Sequence, residues 1–439
     1  MFSAIRLNSI EGGVVYTSVR ELVPQRNIGA RGVGVRRAAN STVILLGLTS
    51  LFTDISSEMV AAILPIYTTV ALGLSPFAYG LIDGLYQGAT AFARLGAGHI
   101  SDRSRRPKAV AAAGYAISMV CKLAMLPVNG LLALTAVVAA DRAGKGVRTA
   151  PRDAMIAGSA PAGSLGLSFG IHRAMDTLGA MAGPLLAFYL LTTLPGAYDA
   201  IFVTSFCFAL IGVAIIVLLV REPVPVVAAQ ITTPTATEPP VDAPRFRDSL
   251  ALLKEQAVRR VCIVAGVLAL LTVSDGFLYL SLERREAIPM RFFPLLFLGT
   301  SVGYLLLAVP VGYLADRLGR TNVFLAGHVL LLACYLLVLS PWGGGGVVIG
   351  TLFLLGAYYA GTDGVLSALT SRLVPDDLRA TGLALVQTVV AVGKFASALL
   401  FGGLWALTGR VDALTVFAAA LVAGLAVATV AFRRMGQHQ

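Results

Sequence analysis

The chain has 439 residues, of which 57% are hydrophobic and 13% charged. That charged share is about half that of an ordinary soluble domain, too little to cover a water-facing surface of normal size. The formal net charge of +11 would also suit nucleic acid, but in membrane chains Lys and Arg gather in cytoplasmic loops for topological reasons, so composition points to a lipid bilayer and not to nucleic acid.

Residues 1–40 carry Arg6, Arg20, Arg26, Arg31, Arg36 and Arg37 without the apolar core of a signal peptide, and read as a basic cytoplasmic tail. Beyond them, apolar runs of about 20 residues recur, the length of helix that crosses ~30 Å of hydrocarbon. They predict helices at 41–72, 77–99, 107–127, 129–157, 165–193 and 198–220, then at 258–282, 291–314, 321–340, 344–373, 379–408 and 411–433. The expected fold is all-α integral membrane: 12 transmembrane helices in two six-helix, pseudo-symmetric bundles at 41–220 and 258–433. Between them, residues 221–257 hold Pro223, Pro225, Pro234, Pro239, Pro240 and Pro244 and read as an extended cytoplasmic linker. The end of this linker, from Phe246 to Arg260, has the pattern of a short amphipathic surface helix. Residues 434–439 form a second cytoplasmic tail.

Loop charges set the expected orientation. Arg103, Arg105, Arg106, Lys108, Arg317, Arg320, Arg372, Arg379, Arg433 and Arg434 fall on one side, whereas the loops at Ser75-Pro76, Pro127–Asn129, Pro195-Gly196 and Gly343–Gly346 are nearly uncharged. Both termini are therefore expected in the cytoplasm, in the plasma membrane of a prokaryote. The loop with Arg284, Arg285 and Arg291 is an exception, partly offset by Glu283 and Glu286. Cys121, Cys207, Cys262 and Cys334 lie far apart inside apolar runs, so they suggest neither metal ligation nor disulfides.

The halves share a motif. Gly98-His-Ile-Ser-Asp102-Arg103-Ser-Arg105-Arg106 follows the second predicted helix, and Gly312-Tyr-Leu-Ala-Asp316-Arg317-Leu-Gly319-Arg320 follows the eighth. Two copies of Gly-x-x-x-Asp-Arg, each closing the second helix of a six-helix half, mark an internal repeat. At these residues the sequence resembles the major facilitator superfamily over about 41–433. The resemblance implies that Asp102, Arg103, Asp316 and Arg317 form charge pairs with neighbouring helix ends and lock the outward-open state. Charge pairs that exist in one arrangement of the halves bias a two-state equilibrium; the plainer alternative is that these charges only fix topology.

Ionisable groups at bilayer depth are expensive and are kept for ion paths, substrate sites or internal pairing. The fourth helix carries Asp141, Lys145, Arg148 and Arg152 on one face, with Arg142 turned by about 100°. The run Arg142-Ala-Gly-Lys145-Gly146 is similar to the helix 4 motif of the superfamily's proton-linked antiporters, with Lys145 in place of the usual Gln, and implies a proton-transfer role for Arg142. The fifth helix holds His172, Arg173 and Asp176, then Gly179, Gly183 and Pro184, similar to the antiporter motif of helix 5; small residues there permit close helix contact and a proline bend. Asp54 and Glu58 share a face of the first helix, where two nearby carboxylates in a low dielectric can carry a proton; pairing with Arg142 or Lys145 is an equal alternative. Asp275 in the seventh helix is a candidate repeat counterpart of Asp54. Asp363 and Lys394, with Gln387, Tyr358 and Tyr359, are the polar groups expected to face Asp54 and Arg142 across the midplane.

The function these features support is transport of a small solute by alternating access, coupled to protons and directed outward by antiport, in a monomer. No cofactor is expected, the proton gradient being the driving force, and no metal site. A cavity rich in Lys145, Arg142, His172, Arg173 and Lys394 instead suits a proton-coupled uptake symporter of an anionic or zwitterionic solute. A non-transporting receptor or scaffold is the further alternative. No nucleophile–base pair, metal cluster or phosphate loop appears, so an enzyme is not expected; His99, His328 and His438 are scattered.

Overall fold

Hydrocarbon offers a backbone N–H or C=O no water, so a membrane-crossing run must close its hydrogen bonds within a helix. The computed structural model describes residues 40–104, 106–160, 164–221, 252–375 and 378–436, the side chains of 91–104, 380 and 434–436 excepted. The first half contains α1 (Ser41–Ile66, continued by a π-turn at Tyr67–Ala71), α2 (Pro76–Ser104), α3 (Pro107–Ala124), α4 (Leu131–Ser159), α5 (Leu165–Thr193) and α6 (Tyr198–Ala214, continued by a π-turn at Ile215–Leu219). The second contains α7a (Gln256–Leu270), α7b (Asp275–Glu286), α8 (Phe293–Leu318), α9 (Arg320–Leu339), α10 (Gly345–Leu373), α11 (Arg379–Thr408) and α12 (Arg410–Gly436). No strand occurs among the described residues. The basic segment 1–39 and residues 222–251 of the proline-rich linker lie outside the described residues. Of the expected surface helix, residues 246–251 also lie outside, and Gln256–Arg260 instead open α7a.

Both halves pack by one scheme. α1 lies against α5 and α6, α2 against α4, and α3 against α4 and α6; α7a lies against α11 and α12, α8 against α10, and α9 against α10 and α12. Small residues let these backbones meet. A Cβ on Gly144 would fall 2.8 Å from the Gly114 carbonyl oxygen, and one on Gly361 would fall 3.2 Å from Gly327 Cα, the matching contact of the other half. Nine of the described helical spans are long and apolar enough to cross a membrane on composition alone. α2, α3 and α4 are the others, and α4 carries its charges inward, with Asp141, Arg142 and Arg148 buried.

The predicted seventh helix differs from expectation. It is broken at Leu271–Ser274, and the freed backbone groups are bonded by side chains from other helices. Tyr335 Oη of α9 donates to Leu271 O at 3.1 Å and accepts from Val273 N at 2.6 Å, while Ser397 Oγ of α11 donates to Thr272 O at 2.6 Å. Non-helical backbone survives at membrane depth only with such partners.

The halves meet along α2–α11 and, less extensively, α5–α8, two seams that the repeat makes equivalent. On the first, a Cβ on Gly80 would strike the Ala398 carbonyl oxygen, and one on Gly402 would lie 2.7 Å from the Pro76 carbonyl oxygen. Aromatic contacts continue the closure: Tyr79 meets Phe277 of α7b at 4.8 Å, and Phe188 of α5 stacks on Phe292 before α8 at 5.6 Å. All of these lie toward the α1–α2, α5–α6 and α11–α12 turns, opposite the ends where the Gly-x-x-x-Asp-Arg motifs sit.

Gly80→Val is expected to cost about 1–3 kcal/mol through overpacking of this seam. Gly403→Val, one residue past Gly402, would meet only the Phe77 ring at 3.6 Å and is expected to stay within about 0.5 kcal/mol of the parent. Thermal unfolding of the two purified variants in one detergent measures the difference.

Candidate central cavity

Between the halves lies a cavity of about 480 Å³, within the range of small-molecule sites. α1 contributes Glu58, α2 contributes Tyr79, Asp83, Tyr86 and Gln87, α4 contributes Lys145 and α5 contributes Thr177. From the second half come Asp275 and Tyr279 of α7b, Thr300, Ser301 and Tyr304 of α8, and Tyr359 and Asp363 of α10. The closed seam with Tyr79 and Phe277 forms one end. Toward the other end Arg173, Asp363 and Gln387 are exposed, and Arg173 and Asp363 both act on Tyr304 from opposite halves.

The α4 charges are separated by depth and partner. Asp141 accepts from Lys122 Nζ of α3 at 2.9 Å and from Arg142, whose guanidinium also lies over the Tyr86 ring at 3.9 Å from its centroid. All three ionised groups are almost fully buried. One turn on, Lys145 is 4.0 Å from Glu58 across the cavity wall. A further turn on, Arg148 is 3.5 Å from Asp54 and lies over the Tyr115 ring. Arg152 bonds Asp153 at 3.0 Å and Ser50 at 3.3 Å, and is 3.9 Å from Asp176. Asp176, on α5, stands beside Asp54 and is 3.7 Å from Arg173.

These positions change several sequence expectations. Arg142 holds neither Asp54 nor Glu58, because Asp141 beside it and Lys122 behind it form a closed triad; Asp54 pairs with Arg148 instead. His172 is buried with Nε2 2.9 Å from Ser50 Oγ, away from the cavity. Of the five cations expected to make the cavity cationic, Lys145 lines it, whereas Arg142 is engaged by Asp141, which it shares with Lys122, and Lys394 lies behind Tyr359, 5.6 Å from its ring centroid. The wall holds four carboxylates and one ammonium group, so the cation-rich expectation is reversed. Glu58 and Lys145 line the cavity together with Asp363 and Tyr359, whereas Asp54 and Arg142 do not line it. Tyr358 is buried, its hydroxyl 3.4 Å from Thr272 Oγ1. Continuing the offset between Asp102 and Asp316 back along the chain puts Asp275 level with about Ala61, so Asp275 is not the counterpart of Asp54.

Gly179 and Gly183 bring α5 against α1: a Cβ on the first would lie 2.5 Å from Leu51 O, and on the second 2.9 Å from Ile55 O, with Pro184 buried beside them. In the second loop motif Asp316 accepts from Arg320 at 3.4 Å, Arg320 also donates to Ala368 O of α10, and Arg317 lies over the Tyr313 ring. Gly319 supplies the φ of +90° that joins α8 to α9, a conformation that favours glycine, while Gly312 has open space around it. Gly98, Asp102 and Arg103 lie on α2, but their side chains are outside the described residues. Arg106 starts the turn into α3.

The site includes a residue that the charge survey passed over. Asp83 is 7% exposed, accepts from Tyr79 Oη at 3.4 Å through Oδ1, and leaves Oδ2 buried without a hydrogen bond. Its charged neighbours are Asp275 and Lys394, both from the opposite half. Tyr79, Asp83, Tyr86 and Gln87 recur at helical spacing on one face of α2, a polar stripe legible in the sequence.

Asp141→Asn is expected to destabilise the protein by about 3–5 kcal/mol, since Lys122 and Arg142 would then face each other without a counter-charge. Adding Lys122→Met should recover part of that loss. Equal unfolding temperatures for the single and double variants would show that the triad is not a coupled unit.

Comparisons with known proteins agree with this architecture. The sequence model of the Major Facilitator Superfamily matches residues 46–285 and 287–438. An uncharacterised MFS-type transporter of Methanocaldococcus jannaschii is 29% identical over 396 residues, covering 89% of this chain and 94% of its own length. A solved structure of the nucleoside transporter NupG superposes with a TM-score of 0.73 at 15% identity, covering 90% of this chain and 99% of its own. A bacterial homologue of the human lysosomal transporter Spinster, in an inward-facing and unoccupied conformation, gives 0.68 at 15% identity, covering 89% and 95%.

Proposed function

The chain belongs to the Major Facilitator Superfamily and is a multi-pass membrane transporter, and from that premise we propose that it exports a small solute in exchange for protons by alternating access. The observation that carries the reading is the pair Asp54 and Asp176, on α1 and α5, held between Arg148 and Arg152 at the depth of the central cavity. Two adjacent carboxylates flanked by fixed guanidinium groups form a site whose charge changes by one when a proton arrives. That change loosens the pairing with Arg148 and Arg152 of α4 and alters how α4 and α5 pack.

α5 also forms one of the two seams between the halves. A proton on Asp54 or Asp176 therefore biases the rocking of the halves without touching the solute. With the positive loops in the cytoplasm, the closed seams face outward and the cavity faces inward, in line with the inward-facing Spinster homologue. In this state a solute enters from the cytoplasm, as export requires. The runs around Arg142 and Gly179–Pro184 that resemble antiporter motifs support the same direction.

A test free of substrate places spin labels at Ser159→Cys and Ser371→Cys, at the motif-side ends of α4 and α10, with exposed Cys207 replaced by Ser. Two distance populations are expected, their ratio changing several-fold between mildly acidic and mildly alkaline pH, and Asp54→Asn should fix that ratio. A parent protein whose distances ignore pH would remove proton coupling from the account.

A further inference from the structure

We propose that the transported solute carries a positive charge, an organic ammonium or guanidinium group, and that its cationic end sits between Asp83 and Asp275 at the closed end of the cavity. The inference deepens the transporter reading and rests on it. Of the four carboxylates in the wall, Glu58 has Lys145 at 4.0 Å, while Lys394 is the charged neighbour that Asp83, Asp275 and Asp363 share. One ammonium group for three carboxylates leaves an excess of negative charge, and two of the three, Asp83 and Asp275, come from opposite halves. Tyr359 Oη donates to Asp275 Oδ1 at 2.6 Å, and Asp83 Oδ2 is buried without a hydrogen bond of normal geometry.

An unpaired buried carboxylate oxygen is costly, and a donor that arrives with a ligand removes the cost. Ser274, at the break before α7b, sets its hydroxyl beside the same Asp83 carboxylate without closing a hydrogen bond of normal geometry. The rest of the pocket suits an organic cation over a hydrated ion. Tyr79, Tyr86, Tyr279, Tyr304 and Tyr359 supply ring faces and hydroxyls, the surface that cationic nitrogen groups prefer. An anionic solute would meet the same acids with one ammonium group to offset them. Because α2 and α7b belong to different halves, a cation held by both acids stabilises the arrangement in which they are together, so occupancy and conformation are linked.

Charge-selective cysteine modification reads this directly, in a background with Cys207→Ser. Thr177→Cys and Ser301→Cys, both in the cavity wall, are treated with matched cationic and anionic methanethiosulfonate reagents, with rates normalised to a cysteine on an exposed loop. The cationic reagent is expected to react at least about tenfold faster, and Asp83→Asn or Asp275→Asn should cut that preference. Equal normalised rates would keep the wet crevice and overturn the cationic assignment alone; no reaction with either reagent would remove the crevice and the proposal with it. The comparison in the parent background stands even where an Asn variant fails to fold. Thermal unfolding supplies the second arm: benzyltrimethylammonium chloride should stabilise the protein more than equimolar sodium chloride, and equal or greater stabilisation by sodium would overturn the organic cation.

Discussion

The structure depends on one constraint: the hydrocarbon around it gives no hydrogen bonds, so every polar group at bilayer depth must find its partner inside the protein or in the crevice. The break in α7 obeys this rule through borrowed side chains, with Tyr335 and Ser397 standing in for the missing helical bonds. The charges of α4 obey it through neighbours: Lys122 on α3, Asp54 and Glu58 on α1, and Asp176 on α5. The buried pairs do little to stabilise the protein relative to an apolar core, but removing one member of such a pair, as in Lys122–Asp141, is costly. They fix which face of each helix points inward.

The same constraint explains how the two halves differ despite their repeat. Their scaffolds match, down to the Gly114–Gly144 and Gly327–Gly361 contacts, because small residues at helix crossings are the general means of packing in lipid. Their chemistry does not match. The first half pairs its charges within itself, on α1, α3, α4 and α5, whereas the second half sets Asp275, Tyr359, Asp363 and Lys394 against the boundary with α2. On the proposed reading the switching groups lie in the first half alone, whereas the recognition groups Asp83 and Asp275 are divided between the halves, which meet along α2–α11 and α5–α8.

Much of the fold is legible in the sequence because the signals are strong and local. Apolar run length fixes the number of helices, Pro76 and Pro107 begin α2 and α3, and Gly319, Gly344 and Gly409 take the positive φ values at junctions. The α7 break is not legible: Leu271-Thr272-Val273-Ser274 contains neither Gly nor Pro, and its stability comes from Tyr335 and Ser397, far away in the chain. The site is legible in type but not in pairing. Intramembrane charges announce themselves, yet whether Asp54 meets Arg142 or Arg148, nearly two turns apart, depends on helix depth. Asp83 stands apart from the clustered charges because its charged neighbours, Asp275 and Lys394, belong to the other half; the stripe of Tyr79, Asp83, Tyr86 and Gln87 on one face of α2 is the trace it leaves.

Proposed exchange of a proton for a cation needs two ligands to act on one equilibrium without touching, and the layout permits this. Moving a two-state equilibrium from 1:99 to 99:1 takes about 5.5 kcal/mol of differential binding, while a buried ion pair that loses a partner costs about 3–5 kcal/mol. Neutralising Asp54 or Asp176 is thus of the right size to tip the halves, but too small to do so against a tightly closed seam. In the proposed exchange the proton would work through α5 and its smaller seam with α8, and the solute through Asp83 of α2 at the larger seam with α11. Coupling is then carried by the rocking motion that both seams share, and it is reciprocal: a solute that favours the arrangement joining Asp83 to Asp275 must change proton affinity at Asp54 by the same free energy. Opposite signs at the two sites give exchange and like signs give co-transport, so direction is set by which arrangement each site prefers and not by the identity of the residues alone.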